Sequence, residues 1–144
     1  MRTENELNEE RDQDLWRTYL EVSRSLELLS EEDAVRRTVT SAAPRFYVSD
    51  ERAARVVSWL ENDNERVERM LPQRREMFDE IYRRTQLLRT EHPDWCLRDL
   101  VRHVVSRPAP QFYLTPGSGY MILRRIKRRR RRERMQVLQR FRRE

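Results

Sequence analysis

The sequence predicts an all-α protein built as two tandem three-helix units from an internal duplication, followed by a basic C-terminal helix. Three observations predict it. Ala43-Pro44-Arg45-Phe46-Tyr47-Val48-Ser49 returns as Ala109-Pro110-Gln111-Phe112-Tyr113-Leu114-Thr115, 66 positions later. At the same offset Ala53, Val56, Val57 and Leu60 fall on Gly119, Ile122, Leu123 and Ile126, and Val35 and Val39 on Val101 and Val105. A repeat of this length implies two copies of one structural unit. Apolar residues recur at helical spacing along most of the chain. Finally, hydrophobic residues make up 37% and charged residues 39%, with only two glycines. That ratio suits long helices with wide polar faces better than a buried sheet or a chain of tight turns.

Residues 1–10 read as a polar, acidic lead-in. From Asp12 to about Leu29 the residues Leu15, Trp16, Tyr19, Leu20, Val22 and Leu26 trace one helical stripe. Ser30 is an N-cap, with Glu31, Glu32 and Asp33 in the first turn, where the helix dipole favours acids. This second helix buries Ala34, Val35, Thr38 and Val39 and stops before Pro44. Ser49 caps a third helix with Ala53, Val56, Val57 and Leu60 inside, expected to run on through Val67 and Met70.

Leu71-Pro72 marks the seam, because proline fits the first turn of a new helix. Met77, Phe78, Ile81, Tyr82 and Leu88 then repeat the first stripe at an offset of 62, and the four extra residues fit a longer turn at residues 90–94. A short helix carries Leu97, Leu100, Val101, Val104 and Val105. Thr115-Pro116 starts the last one, which holds Gly119, Ile122, Leu123 and Ile126. The expected division is 12–70 for an acidic first unit, 71–126 for the second and 127–144 for a basic helical tail.

The net charge of +6 hides a gradient. Residues 1–50 carry 7 basic against 12 acidic groups, and residues 101–144 carry 14 against 2. Only Lys127 is lysine; the other basic residues are arginine. The run Lys127-Arg128-Arg129-Arg130-Arg131-Arg132 places like charges side by side, which needs compensation from solvent, acids or phosphates. Neutralising phosphate releases condensed counterions and gives affinity that falls steeply with salt. The bland alternative is a solvated tail paired with the acidic N-terminal half.

Long helix, short helix, connector and third helix, in that order, resemble the three-helix helix-turn-helix class of DNA-binding units, the homeodomain-like class. The resemblance lies in helix order and length, and it implies that the third helix faces a DNA groove. The connector is longer than the usual turn, and no side-chain signature of homeodomains or Myb repeats is present. Ala-Pro-x-Phe-Tyr followed by Ser or Thr is also similar to a motif of small bacterial proteins, which implies no activity. Of the two third helices, the first opens with Asp50 and Glu51, which repel phosphate. The second opens with Pro116, Gly117, Ser118 and Gly119, with Arg124 and Arg125 behind them. Gly119 serves either close approach to a phosphate or a close helix crossing.

The Phe46-Tyr47 and Phe112-Tyr113 pairs are expected to pin the third helices rather than to stack bases. His92 and Cys96, even with His103, make a poor zinc set, and no phosphate loop or nucleophile motif appears. Cys96 is the only cysteine, no apolar run approaches a membrane span, and the N-terminus lacks signal-peptide order. A cytoplasmic protein without cofactor or catalysis is expected. The expected function is nucleic-acid binding, to duplex DNA, through Ser118, Met121, Arg124, Arg125, Lys127, Arg128, Arg129, Arg130, Arg131 and Arg132. The rival is a protein-interaction adaptor, whose acidic first unit docks a partner and whose basic tail is solvated or faces RNA. A membrane-surface role finds only the thin apolar face of Met135, Leu138 and Phe141.

Overall fold

The structure, a computed structural model, describes residues 3–25 and 30–143. It is all-α: α1 (Glu4–Ser25), α2 (Glu31–Val39), α3 (Asp50–Glu61), a 3-10 segment (Glu65–Arg69), α4 (Pro72–Glu91), α5 (Leu97–Val105) and α6 (Pro116–Arg143). The expected caps form. The Ser30 hydroxyl accepts from the Asp33 amide at 3.1 Å, Ser49 from Arg52 at 3.2 Å and Thr115 from Ser118 at 3.0 Å. Leu26 and Leu29, expected at the end of the first helix, lie outside the described residues.

Two local expectations change. α1 starts at Glu4, well before Asp12, so most of the acidic lead-in is helix. The cause is a reciprocal capping box: the Glu6 amide donates to Thr3 Oγ1 and the Thr3 amide to Glu6 Oε2, both at 3.2 Å. Leu7, buried in the core, anchors that first turn. α3 stops at Glu61 instead of running on to Met70. Asp63 takes a left-handed φ of 49°, which aspartate tolerates better than most residues, and Asn64 caps the separate 3-10 segment through the Arg66 amide.

Packing does not follow the order of the chain. α1 packs on α2, and α4 on α5, but α3 leaves the first pair and packs against α4 and α5. α6 returns and packs against α1 and α2. In space the expected boundary between residues 70 and 71 is therefore crossed by both third helices. The connectors, residues 40–49 and 106–115, permit this. Ten extended residues reach about 33 Å, several times the ~8–10 Å between packed helices. A turn of three or four residues would have kept each third helix beside its predecessor.

The connectors cross through contacts that are reciprocal between residues 66 apart. Ala43 and Ala109 form an antiparallel bridge, each amide donating to the other's carbonyl at 3.0 and 2.9 Å. The Phe46 amide donates to Val105 O at 3.0 Å, and the Phe112 amide to Val39 O at 3.1 Å. Phe46 stacks on Tyr113 and Phe112 on Tyr47, both with centroids 6.0 Å apart. Both phenylalanines are buried, so the rings pin the crossing, in line with the structural role expected from the sequence. Arg84 joins α4 to both connectors: its guanidinium lies 5.0 Å over the Phe46 ring and donates to Pro108 O at 2.7 Å.

Gly119 sits where α6 meets α2. A Cβ there would lie 2.5 Å from Val39 Cγ1, and a β-branched side chain in a helix has little freedom to move away. Close helix crossing, rather than phosphate approach, is thus what Gly119 provides. A Cβ on Gly117, two residues earlier, would meet Thr115 Oγ1 at 4.0 Å, an ordinary van der Waals contact. Gly119→Ala should lower the denaturation midpoint, whereas Gly117→Ala should leave it unchanged or raise it, since alanine is favoured over glycine in a helix by up to ~1 kcal/mol. Equal effects of the two substitutions in chemical denaturation would contradict this packing.

Burial, reinforced by the nearby Glu80 and Glu76, pushes the Tyr113 hydroxyl up to about 12 from the ordinary value near 10. The unfolded chain therefore releases this proton at lower pH than the folded one. The resulting stability is present below pH 10 and is lost as pH rises towards 12. Melting temperatures measured from pH 8 to 12 should fall less steeply for Tyr113→Phe than for the wild type; parallel curves would remove Tyr113 as a contributor.

Candidate nucleic-acid interface

α6 is one uninterrupted helix of 28 residues, about 42 Å long at the usual rise. Its inner stripe is Gly119, Ile122, Leu123 and Ile126, all buried as their spacing predicts. No break separates residue 126 from the expected tail at 127–144. The helix simply outruns the body, and from Arg128 to Arg143 every residue is exposed.

At about 3.6 residues per turn, Met121, Arg124, Arg125, Arg128, Arg131, Arg132 and Met135 lie on the side opposite the inner stripe. Shallow depressions run along this face between Arg124, Arg125 and Arg128, then on between Arg132, Met135 and Gln139. Ser118 is also exposed, but its amide and hydroxyl are engaged by Thr115 in the cap. Arg124 folds along its own helix, with Nη1 3.4 Å from the Tyr120 hydroxyl and its guanidinium 6.0 Å from that ring's centroid. Arg129 flanks the outward face.

Two members of the expected binding set turn the other way, towards α1 and the start of α2. Lys127 Nζ donates to the Tyr19 hydroxyl at 3.0 Å and to Glu31 Oε1 at 3.1 Å. Partial burial works against its charge, but these hydrogen bonds outweigh it and raise the ammonium above the ordinary lysine value. Arg130 lies 5.2 Å over the Trp16 ring, a cation–π contact. Together they fasten α6 where it leaves the body. Their partners are 114 and 108 positions away in Trp16 and Tyr19, so helical periodicity carries no signal of them.

Elsewhere several acids are paired with arginines. Asp50 and Glu51, expected to repel phosphate from α3, accept from Arg102 at 3.1 Å and Arg98 at 3.0 Å. Although partial burial would raise the Asp50 carboxyl, those two guanidiniums hold it below the usual carboxylate range. Glu4 pairs with Arg52, Asp14 with Arg17, Glu61 with Arg89 and Glu80 with both Arg83 and Arg84. On α6 the pattern stops. Among the described residues its single ion pair to the body is Lys127–Glu31, and Arg125, Arg128, Arg129, Arg131 and Arg132 have no acidic partner. Among the described residues, Lys127 alone ties the basic helix to an acid of the N-terminal half.

What the fold and this surface define is an all-α protein with a projecting, arginine-faced helix. Compared with family models, with curated proteins and with solved structures, the chain finds no match. Among the described residues, no helix is long and apolar enough to cross a membrane.

Proposed function

We propose that this protein binds nucleic acid without catalysing a reaction on it, and that its target is duplex DNA. The observation that carries the proposal is the stripe of Arg125, Arg128, Arg131 and Arg132: exposed, unpaired among the described residues and held on a helix that extends beyond the body. Arginine guanidiniums spaced along one helix face suit phosphate oxygens, and their mutual repulsion is relieved when phosphates lie between them. The packing of α6 against α1 and α2 makes those three helices a three-helix group, with α6 as its outward member. The groove-reading part of the proposal belongs to that group, formed across the chain, rather than to a helix-turn-helix of consecutive helices. Met121 and Arg124 are its candidate base contacts, while Lys127 and Arg130 hold the helix in place.

The test is a salt titration of duplex binding. Affinity should fall linearly with salt on logarithmic axes, and Arg128→Ala/Arg132→Ala should reduce that slope by about two units for all sequences alike. Both side chains are exposed and, among the described residues, make no hydrogen bond or ion pair, so the melting temperature should not move. Arg124→Ala should instead flatten any sequence preference recovered by random-oligonucleotide selection, since one good base contact carries ~1–3 kcal/mol of discrimination. An unchanged salt slope in the double variant would remove α6 as the binding surface. Selection that recovers no motif would leave only sequence-independent binding.

A further inference from the structure

The apolar stripe of α6 does not end where the body ends. At about 100° per residue, Val137 and Phe141 fall on the line of Gly119, Ile122, Leu123 and Ile126, and Leu138 lies beside them. Met135, which spacing groups with Leu138 and Phe141, stands instead on the outward side among the arginines. The first stretch of the stripe is buried against α1 and α2. Among the described residues the last contacts to the body are those of Lys127 with Tyr19 and Glu31 and of Arg130 with Trp16. Beyond them Val137 is 49% exposed, Leu138 56% and Phe141 72%. Neighbouring apolar side chains held in water on a regular helix form a docking face.

The charge around that face decides what fits it. Residues 128–143 carry nine arginines and one acid, Glu133. A second copy laid along the same face would set nine arginines against nine, which Coulomb repulsion opposes. A duplex neutralises arginines through its phosphates but has no apolar layer to cover the three side chains. Two occupants are both acidic and apolar: an acidic amphipathic helix of another protein, and an anionic lipid surface. Arg134 favours the second. In rotation it lies between Phe141 and Leu138, one to two turns earlier, so a protein groove covering the face would have to bury its charge. At a lipid surface an arginine stem lies along the apolar layer while the guanidinium reaches up to the headgroup phosphates.

We propose that the last turns of α6 dock on an anionic lipid surface. Val137, Leu138 and Phe141 enter the acyl boundary, and Arg134, with Arg140 and Arg142 flanking the face, binds headgroup phosphates. A thin apolar face and a polybasic stretch are two weak anchors that together hold a helix on a membrane. The helix lies on the surface; among the described residues none is long and apolar enough to cross. The face is turned away from Arg125, Arg128 and Arg132, so the docking does not rest on duplex binding.

The experiment is co-sedimentation of the full chain with vesicles of phosphatidylcholine alone, and of phosphatidylcholine with an equal part of phosphatidylglycerol. Binding is expected to the mixed vesicles only. Leu138→Ser/Phe141→Ser should weaken it by about tenfold or more, because two large apolar side chains no longer leave water. Both positions are exposed, so the melting temperature and the salt slope of duplex binding should stay as in the wild type. Phe141→Trp should add an emission component, relative to the wild type, that shifts to the blue on mixed vesicles and is quenched by brominated acyl chains. No binding to the mixed vesicles, or binding that the serine substitutions leave unchanged, would overturn the proposal. A free chain that sediments as a dimer, and as a monomer with the same substitutions, would give the face to a second copy instead.

Discussion

The fold depends on the antiparallel meeting of Ala43 and Ala109. It brings two ten-residue connectors into a crossing that neither could hold alone. An isolated two-residue bridge is weak, so the crossing draws its strength from what flanks it. The Phe46–Tyr113 and Phe112–Tyr47 stacks flank it, and the amide bonds to Val105 and Val39 satisfy two further backbone donors of the connectors. A buried phenylalanine contributes ~3–5 kcal/mol by the cost of its removal, a large share of a small domain's stability. Once the connectors cross, each third helix is delivered to the other pair, and the two halves cannot separate without undoing both crossings.

That arrangement also decides which arginines are available. α6 reaches the α1–α2 pair, spends its apolar stripe there, and is fixed in rotation by Gly119 against Val39 and by Lys127 against Tyr19 and Glu31. Rotation in turn sets Arg125, Arg128 and Arg132 outward. Several acids of α1 and α3 meanwhile find arginines of their own, whereas on the projecting helix the ion pair to the body is that of Lys127 among the described residues. Surface ion pairs of this kind add little stability each. Their consequence here is where the unpaired charge ends up.

Helix positions and inner faces were legible in the sequence because they rest on local rules. Ser30, Ser49 and Thr115 cap where hydroxyl residues before acidic or proline turns should, and the stripe from Gly119 to Ile126 is buried as its spacing requires. The Thr3–Glu6 capping box was missed, because the run of acids around it reads as polar lead-in unless Leu7 is recognised as an anchor. Helix partnership was not legible. Periodicity shows that Val35 and Val39 face inward, not whether they meet α3 or α6, and the connector length was the one hint. The same limit applies to the candidate sites. Spacing could nominate Lys127 with the other cations, but not place Glu31 and Tyr19 beside it, nor set Arg130 over Trp16.

The crossed pairing of third helices is the central claim, and equivalent valines test it. Gly119→Ala introduces a methyl group that meets Val39 if α6 packs on α2, and would meet Val105 if it packed on its sequence neighbour α5. Double-mutant cycles on the denaturation free energy separate the two, because only side chains in contact couple. The crossed fold predicts that Val39→Ala relieves much of the loss caused by Gly119→Ala, while Val105→Ala adds to it independently. Relief by Val105→Ala, with Val39→Ala merely additive, would contradict it.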